Sequence, residues 1–418
     1  MSERKFLIPE FGPFAGMRII TSGSLVAMPF AATLLADFGA EIIHIERPGV
    51  GDTLRVLAPF AKEGEKTVST SWAQDGRNKL SLSLELNLKH PEVKELFYNL
   101  IQEADVFMEN MVWLAKLGIY DEELLKVNPK LIIVHVSGYG TPEFGGVPAY
   151  CDRASYDMIG QAFSGWMYLQ GEPGGDPVVA KPWMNDFVSA YAAVFGVLAA
   201  YHSMLKTGKG QVVDVAQFEA QAMYMCDTFT SYTMAGVIRE RSGNNAAAFQ
   251  PYGLFKSKDG YDIALGAFGP GVYKRFVQGV GFDLEYYNYK ETSSSVMAVN
   301  SDKGKEFNKK VVDWCAERTA QEIEDAMQAV KVPCSRVNSV KDCLENEHFQ
   351  KRGDFIQYED QTLGKEITAF GIAPKLSETP GKVWRGAPAL GQDTNAILKE
   401  ILGYDDEKIN ILQEKNLI

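Results

Sequence analysis

From Phe187 to Leu205 the chain reads FVSAYAAVFGVLAAYHSML, without a single Asp, Glu, Lys or Arg. A helix this apolar on every side has to be enclosed by other elements or by a bilayer. Ser189, Tyr191, Tyr201, His202 and Ser203 interrupt the run and no companion span accompanies it. The expectation is therefore a buried core helix in a protein with no membrane association. Enclosing it takes a large core, which 418 residues can supply, with a division into two domains.

The last charged side chain before this run is Asp186. A carboxylate there sits near the positive end of the helix dipole and is easily kept dry. Such a group can be a nucleophile toward an acyl carbon. Capping is the competing role: Asn185 or Asp186 could simply accept backbone N–H bonds at the helix start, and local sequence alone favours that reading. The rest of the chain reverses the order.

Hydrophobic content of 46% and charged content of 23% are ordinary for a globular protein. The net charge of −12 argues against a nucleic-acid partner, which needs a basic surface. Any anionic ligand must then be held by a few local Arg or Lys residues and by backbone N–H groups. Cys151, Cys226, Cys315, Cys334 and Cys343 contain no CxxC pair, which suits neither a metal site nor a disulfide framework. The opening residues MSERKFLIPEFGPFAG hold no apolar run long enough for a secretory signal. Cytoplasmic location is the expectation.

Met17 to Ser22 is a short β-branched run, followed by a helical pattern from Pro29 to Phe38 and a second strand from Glu41 to Glu46. Pro near the helix start and Gly39 past its end are correctly placed. This β-α-β unit implies parallel strands. Leu80, Leu82, Leu84 and Leu86 alternate as in a strand with one buried face. Pro91 to Ala104 is an amphipathic helix, Asp105 to Met108 a short strand, and Leu131 to Val136 a buried strand ending in Ser137-Gly138-Tyr139-Gly140. Further on, Lys258-Asp259-Gly260 between alternating runs signals a hairpin, with helices near 271–280, 303–318 and 320–330. The fold class is α/β: a large Rossmann-like domain over 1–224, a smaller α+β domain over 225–335, and a return to the large domain over 336–418.

An N-terminal β-α-β unit suggests a nucleotide-binding dehydrogenase, but the first turn reads Ser22-Gly23-Ser24-Leu25-Val26-Ala27-Met28-Pro29. Without the GxGxxG glycines the backbone cannot wrap a pyrophosphate in the usual way. Other landmarks run the length of the chain: Phe14-Ala15-Gly16-Met17-Arg18, Ala36-Asp37-Phe38-Gly39-Ala40-Glu41, Ile45-Glu46-Arg47-Pro48 and Glu109-Asn110. Ser137-Gly138-Tyr139-Gly140, Arg153-Ala154-Ser155-Tyr156-Asp157, Thr207-Gly208-Lys209-Gly210 and Trp384-Arg385-Gly386-Ala387-Pro388 continue the series. In this order and spacing they resemble the class III CoA-transferases, and most of all the carnitine and bile-acid branch.

The resemblance implies an enzyme that moves CoA from an acyl-CoA thioester to a free carboxylic acid, with no cofactor beyond coenzyme A as co-substrate. It implies Asp186 as the covalent nucleophile, working through an aspartyl mixed anhydride and an aspartyl-CoA thioester. By family position Arg47 faces the adenine and its phosphates, and Asn110 and Lys116 contact CoA. Val26 and Ala27 in the first turn, with Ser137, Gly138 and Tyr139, line the pantetheine arm. His44, alternating with Ile42 and Ile43, reads as structural. The family forms an interlocked dimer, so a homodimer is implied. The stretch Asn244 to Pro251 is bulkier than the Gly-rich loop of the oxalate-using branch, and Val26 stands where that branch has glutamine. Both favour a mid-sized or apolar acceptor, such as a carnitine-like acid, a 2-hydroxy acid or a bile acid. Two other functions fit the fold. An α-methylacyl-CoA racemase would carry a histidine at Tyr156, and a phenol is a poor base at neutral pH. A non-catalytic CoA-binding partner subunit would have no need of Asp186.

Overall fold

The computed structural model describes residues 4–111 and 113–418. The chain forms two compact units, one of Met1–Trp166, Ala180–Asp227 and Lys351–Ile418, the other of Met167–Val179 and Thr228–Gln350.

The first unit is built on a six-stranded sheet. Its strands are β1 (Arg18–Ser22), β2 (Glu41–Glu46), β3 (Lys79–Ser83), β4 (Val106–Glu109), β5 (Ile132–Ser137) and β6 (Gln211–Ala216). They lie in the order β3-β2-β1-β4-β5-β6 and every pair is parallel. Side chains alternate across a strand, so neighbouring apolar residues serve opposite faces. Ile20, Ile43 and Ile133 pack with helix α2 (Pro91–Gln102) in one core. Ile19, Ile42 and Ile132 pack in a second core with helix α1 (Ala27–Ala36) and helix α4 (Met184–Thr207). With both faces covered, these strands need continuous apolar runs rather than alternation.

Helix α4 is long and apolar enough to cross a membrane by composition alone. Here Ser189, Ala193, Val197, Ala200 and Met204 form a buried stripe at helical spacing. Small residues let it come close: a Cβ on Gly196 would meet Val213 Cγ1 at 2.6 Å.

One expectation is corrected. The strand at Leu80 and Leu82 buries both faces, and Leu84 and Leu86 lie beyond its end. Lys79 and Ser81, on the polar side of the alternation, are fully buried. Lys79 Nζ donates to the Asp75 carbonyl at 2.7 Å and Ser81 Oγ to Glu46 Oε1 at 2.6 Å. The outer edge of β3 is closed by the C-terminal segment: Ser81 N donates to Asp393 Oδ2 (2.8 Å) and Ser83 N to Thr394 Oγ1 (2.9 Å). Covering an edge in this way removes a template for aggregation.

The second unit has an antiparallel three-stranded sheet, β9-β8-β7, of β7 (Tyr252–Lys256), β8 (Asp262–Gly266) and β9 (Cys334–Arg336). Gly260, at φ +89°, supplies the left-handed residue of the turn between β7 and β8. Three helices, Pro270–Gly279, Asp302–Ala316 and Ala320–Ala329, pack on it through Phe276, Phe307 and Ile323. This unit is α+β.

Candidate active site

In a parallel sheet of this order, β1 and β4 are neighbours whose chains leave in opposite directions. That divergence opens a crevice beyond the carboxyl ends of the strands, where ligands of such folds bind. A cleft of about 520 Å³ lies there. Its wall takes residues at or just past the ends of β1 (Gly23 to Ala27), β2 (Arg47), β4 (Asn110) and β5 (Ser137, Gly138), together with Asp186 and Gln217.

The turn after β1 is held by side chains from two later loops. Ser24 N donates to Asn110 Oδ1 (2.9 Å), and Asn110 Nδ2 donates back to the Ser24 carbonyl (2.8 Å). Gly23 stands at φ +142°, and a Cβ there would fall 1.8 Å from Asn110 Oδ1. The next turn residue, Leu25 at φ +70°, donates its N–H to Asp52 Oδ1 at 3.0 Å. Asp52 also accepts from Leu54 N (2.8 Å), and its Oδ2 lies 3.2 Å from His44 Nε2. Burial works to raise the Asp52 pKa, but the His44 and backbone hydrogen bonds outweigh it and hold the carboxyl below its usual range. His44 Nδ1 is 2.8 Å from Thr21 Oγ1, so the ring is a fully buried tie between strand and loop.

Of the other sequence-derived positions, Val26 and Ala27 line the cleft with nearly buried side chains. Arg47 is exposed, 3.3 Å from Glu85, in a solvent-screened pair that leaves its guanidinium free to meet an anion. Gly138 must lack a side chain, since a Cβ would come within 2.2 Å of Ser155 Cβ. Ser137 Oγ accepts from Gly140 N (2.9 Å) and shapes that loop. Tyr139 turns away into a separate 330 Å³ cavity, with its ring 4.9 Å from Phe163. Lys116 is exposed outside the cleft lining, its Nζ over the Trp113 ring at 4.3 Å.

Asp186 occupies the third position of α4 and is 9% exposed. Its helix is capped from elsewhere. Helix α3 (Asp157–Phe163) begins with Asp157, whose Oδ1 accepts the N–H groups of Asn185 (2.7 Å) and Asp186 (3.3 Å). Asp157 thus takes the capping role, and the Asp186 carboxylate is left for the cleft. Gln217, first residue of helix α5 (Gln217–Ala222), donates Nε2 to Asp186 Oδ1 at 2.6 Å. Asn185 Nδ2 in turn donates to the Gln217 carbonyl at 2.7 Å. Burial first, and the nearby Asp157 charge second, push the Asp186 pKa up to about 7, against the lowering effect of the Gln217 bond.

Asp157 and Gln217 escaped the sequence reading as partners of Asp186. The signal for Gln217 was its place directly after β6, at the carboxyl end of a parallel strand. Asp157 was visible only as the last residue of the Arg153-Ala154-Ser155-Tyr156-Asp157 landmark.

The family pattern described as CoA-transferase family III matches residues 14–394. The chain belongs to CoA-transferase family III. It is 34% identical to the bile acid CoA-transferase BaiK of Clostridium scindens, over 98% of this chain and 90% of that protein. The beta subunit of the succinyl-CoA–L-malate CoA-transferase of Chloroflexus aurantiacus is 34% identical, over 97% and 98% of the two chains. The L-carnitine CoA-transferase of Proteus mirabilis is 32% identical, over 98% and 97%. Among solved structures, a CAIB/BAIF family protein from Brucella suis superposes with a TM-score of 0.80 at 24% identity. It covers 94% of this chain and 100% of its own, which places the fold. The protein is accordingly a CoA-transferase, with acyl-CoA and a carboxylic acid as substrates.

Proposed function

We propose that Asp186 carries CoA between acids as a covalent nucleophile. One oxygen of Asp186 attacks the thioester carbonyl of the donor; the C–S bond breaks, giving an acyl-aspartyl anhydride and CoA thiolate. The thiolate attacks Asp186 Cγ, the donor acid leaves as its carboxylate, and an aspartyl-CoA thioester remains. The acceptor carboxylate attacks Cγ and expels the thiolate, which then attacks the acceptor acyl carbon and frees Asp186. Every bond exchanged is a thioester or an anhydride, so no external energy source enters.

The observation that carries this reading is the division of labour between two carboxylates. Asp157 serves the helix N–H groups, and Asp186 is free to react inside the cleft. The cleft suits CoA. Arg47 supplies the cation at its mouth, Asn110 fixes the first turn, and Val26, Ala27, Ser137 and Gly138 line the inner arm. Lys116 and Tyr139 stand outside that lining, and their proposed CoA contacts would need movement of the Trp113 and Gly140 loops.

The apolar Val26 favours a mid-sized or apolar acceptor acid over a small dicarboxylate. A homodimer fits the exposed Tyr191 and Phe195 on the open face of α4, and sedimentation would show it as a dimer mass. The free thiols suit a reducing cytoplasm. We expect Asp186→Asn to abolish transfer, with at least a thousandfold loss, while CoA affinity changes little. Hydroxylamine trapping during turnover, followed by peptide mapping, should place the modification on Asp186. A label on another residue, or normal transfer by Asp186→Asn, rejects the assignment.

A further inference from the structure

We propose that Gln217 is a catalytic residue: its side-chain amide is the oxyanion donor for every step in which CoA or an acid attacks the Asp186 carbonyl carbon. The inference rests on the nucleophile reading above and adds a specific role within it. Two kinds of acyl carbon are attacked in the cycle, that of the substrate acid and Cγ of Asp186 itself. Attack at Cγ drives the electron pair of the aspartyl C=O onto the oxygen that stays unacylated. In the resting site Gln217 Nε2 already donates to Oδ1 at 2.6 Å, and Oδ2 has no hydrogen-bond partner among the described residues. Acylation therefore falls on Oδ2. Oδ1 becomes the carbonyl oxygen with the amide still in place, and the donor meets the charge as it grows without reorganising.

The donor is itself locked. Gln217 is 6% exposed, and its backbone carbonyl accepts from Asn185 Nδ2 at 2.7 Å. Asn185 and Asp186 are consecutive on α4, so neighbouring residues of one helix grip both the main chain and the side chain of Gln217. That closed loop fixes the Nε2 position relative to Cγ. The main-chain anchor is independent of the side chain at 217, so replacing the side chain spares half of the arrangement.

The test uses the full-length enzyme with an acyl-CoA donor and no acceptor, quenched with borohydride at successive times. Borohydride reduces the aspartyl-CoA thioester, and mass spectrometry of the peptide carrying residue 186 gives its rate of formation. In Gln217→Leu we expect that rate to fall by about a hundredfold or more, the usual effect of losing one oxyanion donor. CoA affinity by calorimetry should stay within threefold of wild type. Gln217→Glu, of equal length, should lose a similar factor once ionised, since it has no proton to donate. A thioester formed at the wild-type rate by either variant overturns the role of Gln217. So does a loss of CoA affinity equal to the loss of rate, because a loosened cleft would produce both. Failure to find any thioester at residue 186 in the wild type would instead bring down the nucleophile assignment.

Discussion

At the scale of single residues, the site turns on how two neighbouring carboxylates are given different work. Asp157 serves helix N–H groups, whereas Asp186 is dried by its surroundings and pushed up to about 7. The nucleophile must be ionised, so transfer should rise as pH climbs through about 7 and level off above it. A pH–rate profile that is flat from 5 to 8 would contradict this. The same shift has a stability consequence. The folded pKa lies above the unfolded value of 3.8, so the fold prefers the neutral acid. Below 3.8 Asp186 costs nothing; the cost grows between 3.8 and about 7 and is complete above that. Asp186→Asn removes it. Denaturant titration should therefore find the variant more stable than wild type at pH 8, by up to a few kcal/mol, and the gap should close toward pH 4.

Among elements, the start of α4 is the joint that matters. Its N-terminal N–H groups are served by the first residue of α3, across a gap in sequence that no local pattern reveals. Asp157→Asn keeps an acceptor oxygen but removes a negative charge that raises the Asp186 pKa. Its pH–rate midpoint should move to lower pH, with the helix start weakened by about 1 kcal/mol. A midpoint that stays put would show that burial alone sets the value. The contrast with what the sequence made legible is physical. β1 and β2 were readable because Ile19-Ile20 and Ile42-Ile43 sit in short β-branched runs, as strands covered on both faces require. The chemistry of Asp186 was legible through its place before an uncharged run and through family resemblance. Its partners were not, because Asp157 and Gln217 reach it by tertiary folding. The buried polar face of β3 was hidden for the same reason: what covers Lys79 and Ser81 lies partly in residues 385–394.

For the whole first unit, closure depends on the end of the chain returning to its beginning. Arg385 makes a fork-to-fork pair with Asp393, Nη1 to Oδ1 at 2.9 Å and Nη2 to Oδ2 at 2.6 Å, and its Nε reaches the Lys79 carbonyl at 3.1 Å. Both partners are little exposed, 11% and 12% by side chain. Asp393 is also the acceptor for Ser81 N on the open edge of β3. Removing Arg385 would leave Asp393 as an unpaired, mostly buried charge and loosen the strap over that edge. We expect Arg385→Ala to cost about 3 kcal/mol in denaturant unfolding and to raise aggregation on heating, since an uncovered parallel strand recruits another chain. The cleft draws no lining residue from 385–394, so the CoA affinity of the folded fraction should be unchanged. If Arg385→Ala instead weakened CoA binding at unchanged stability, the strap would belong to the site rather than to the scaffold, and the edge-sealing account would be wrong.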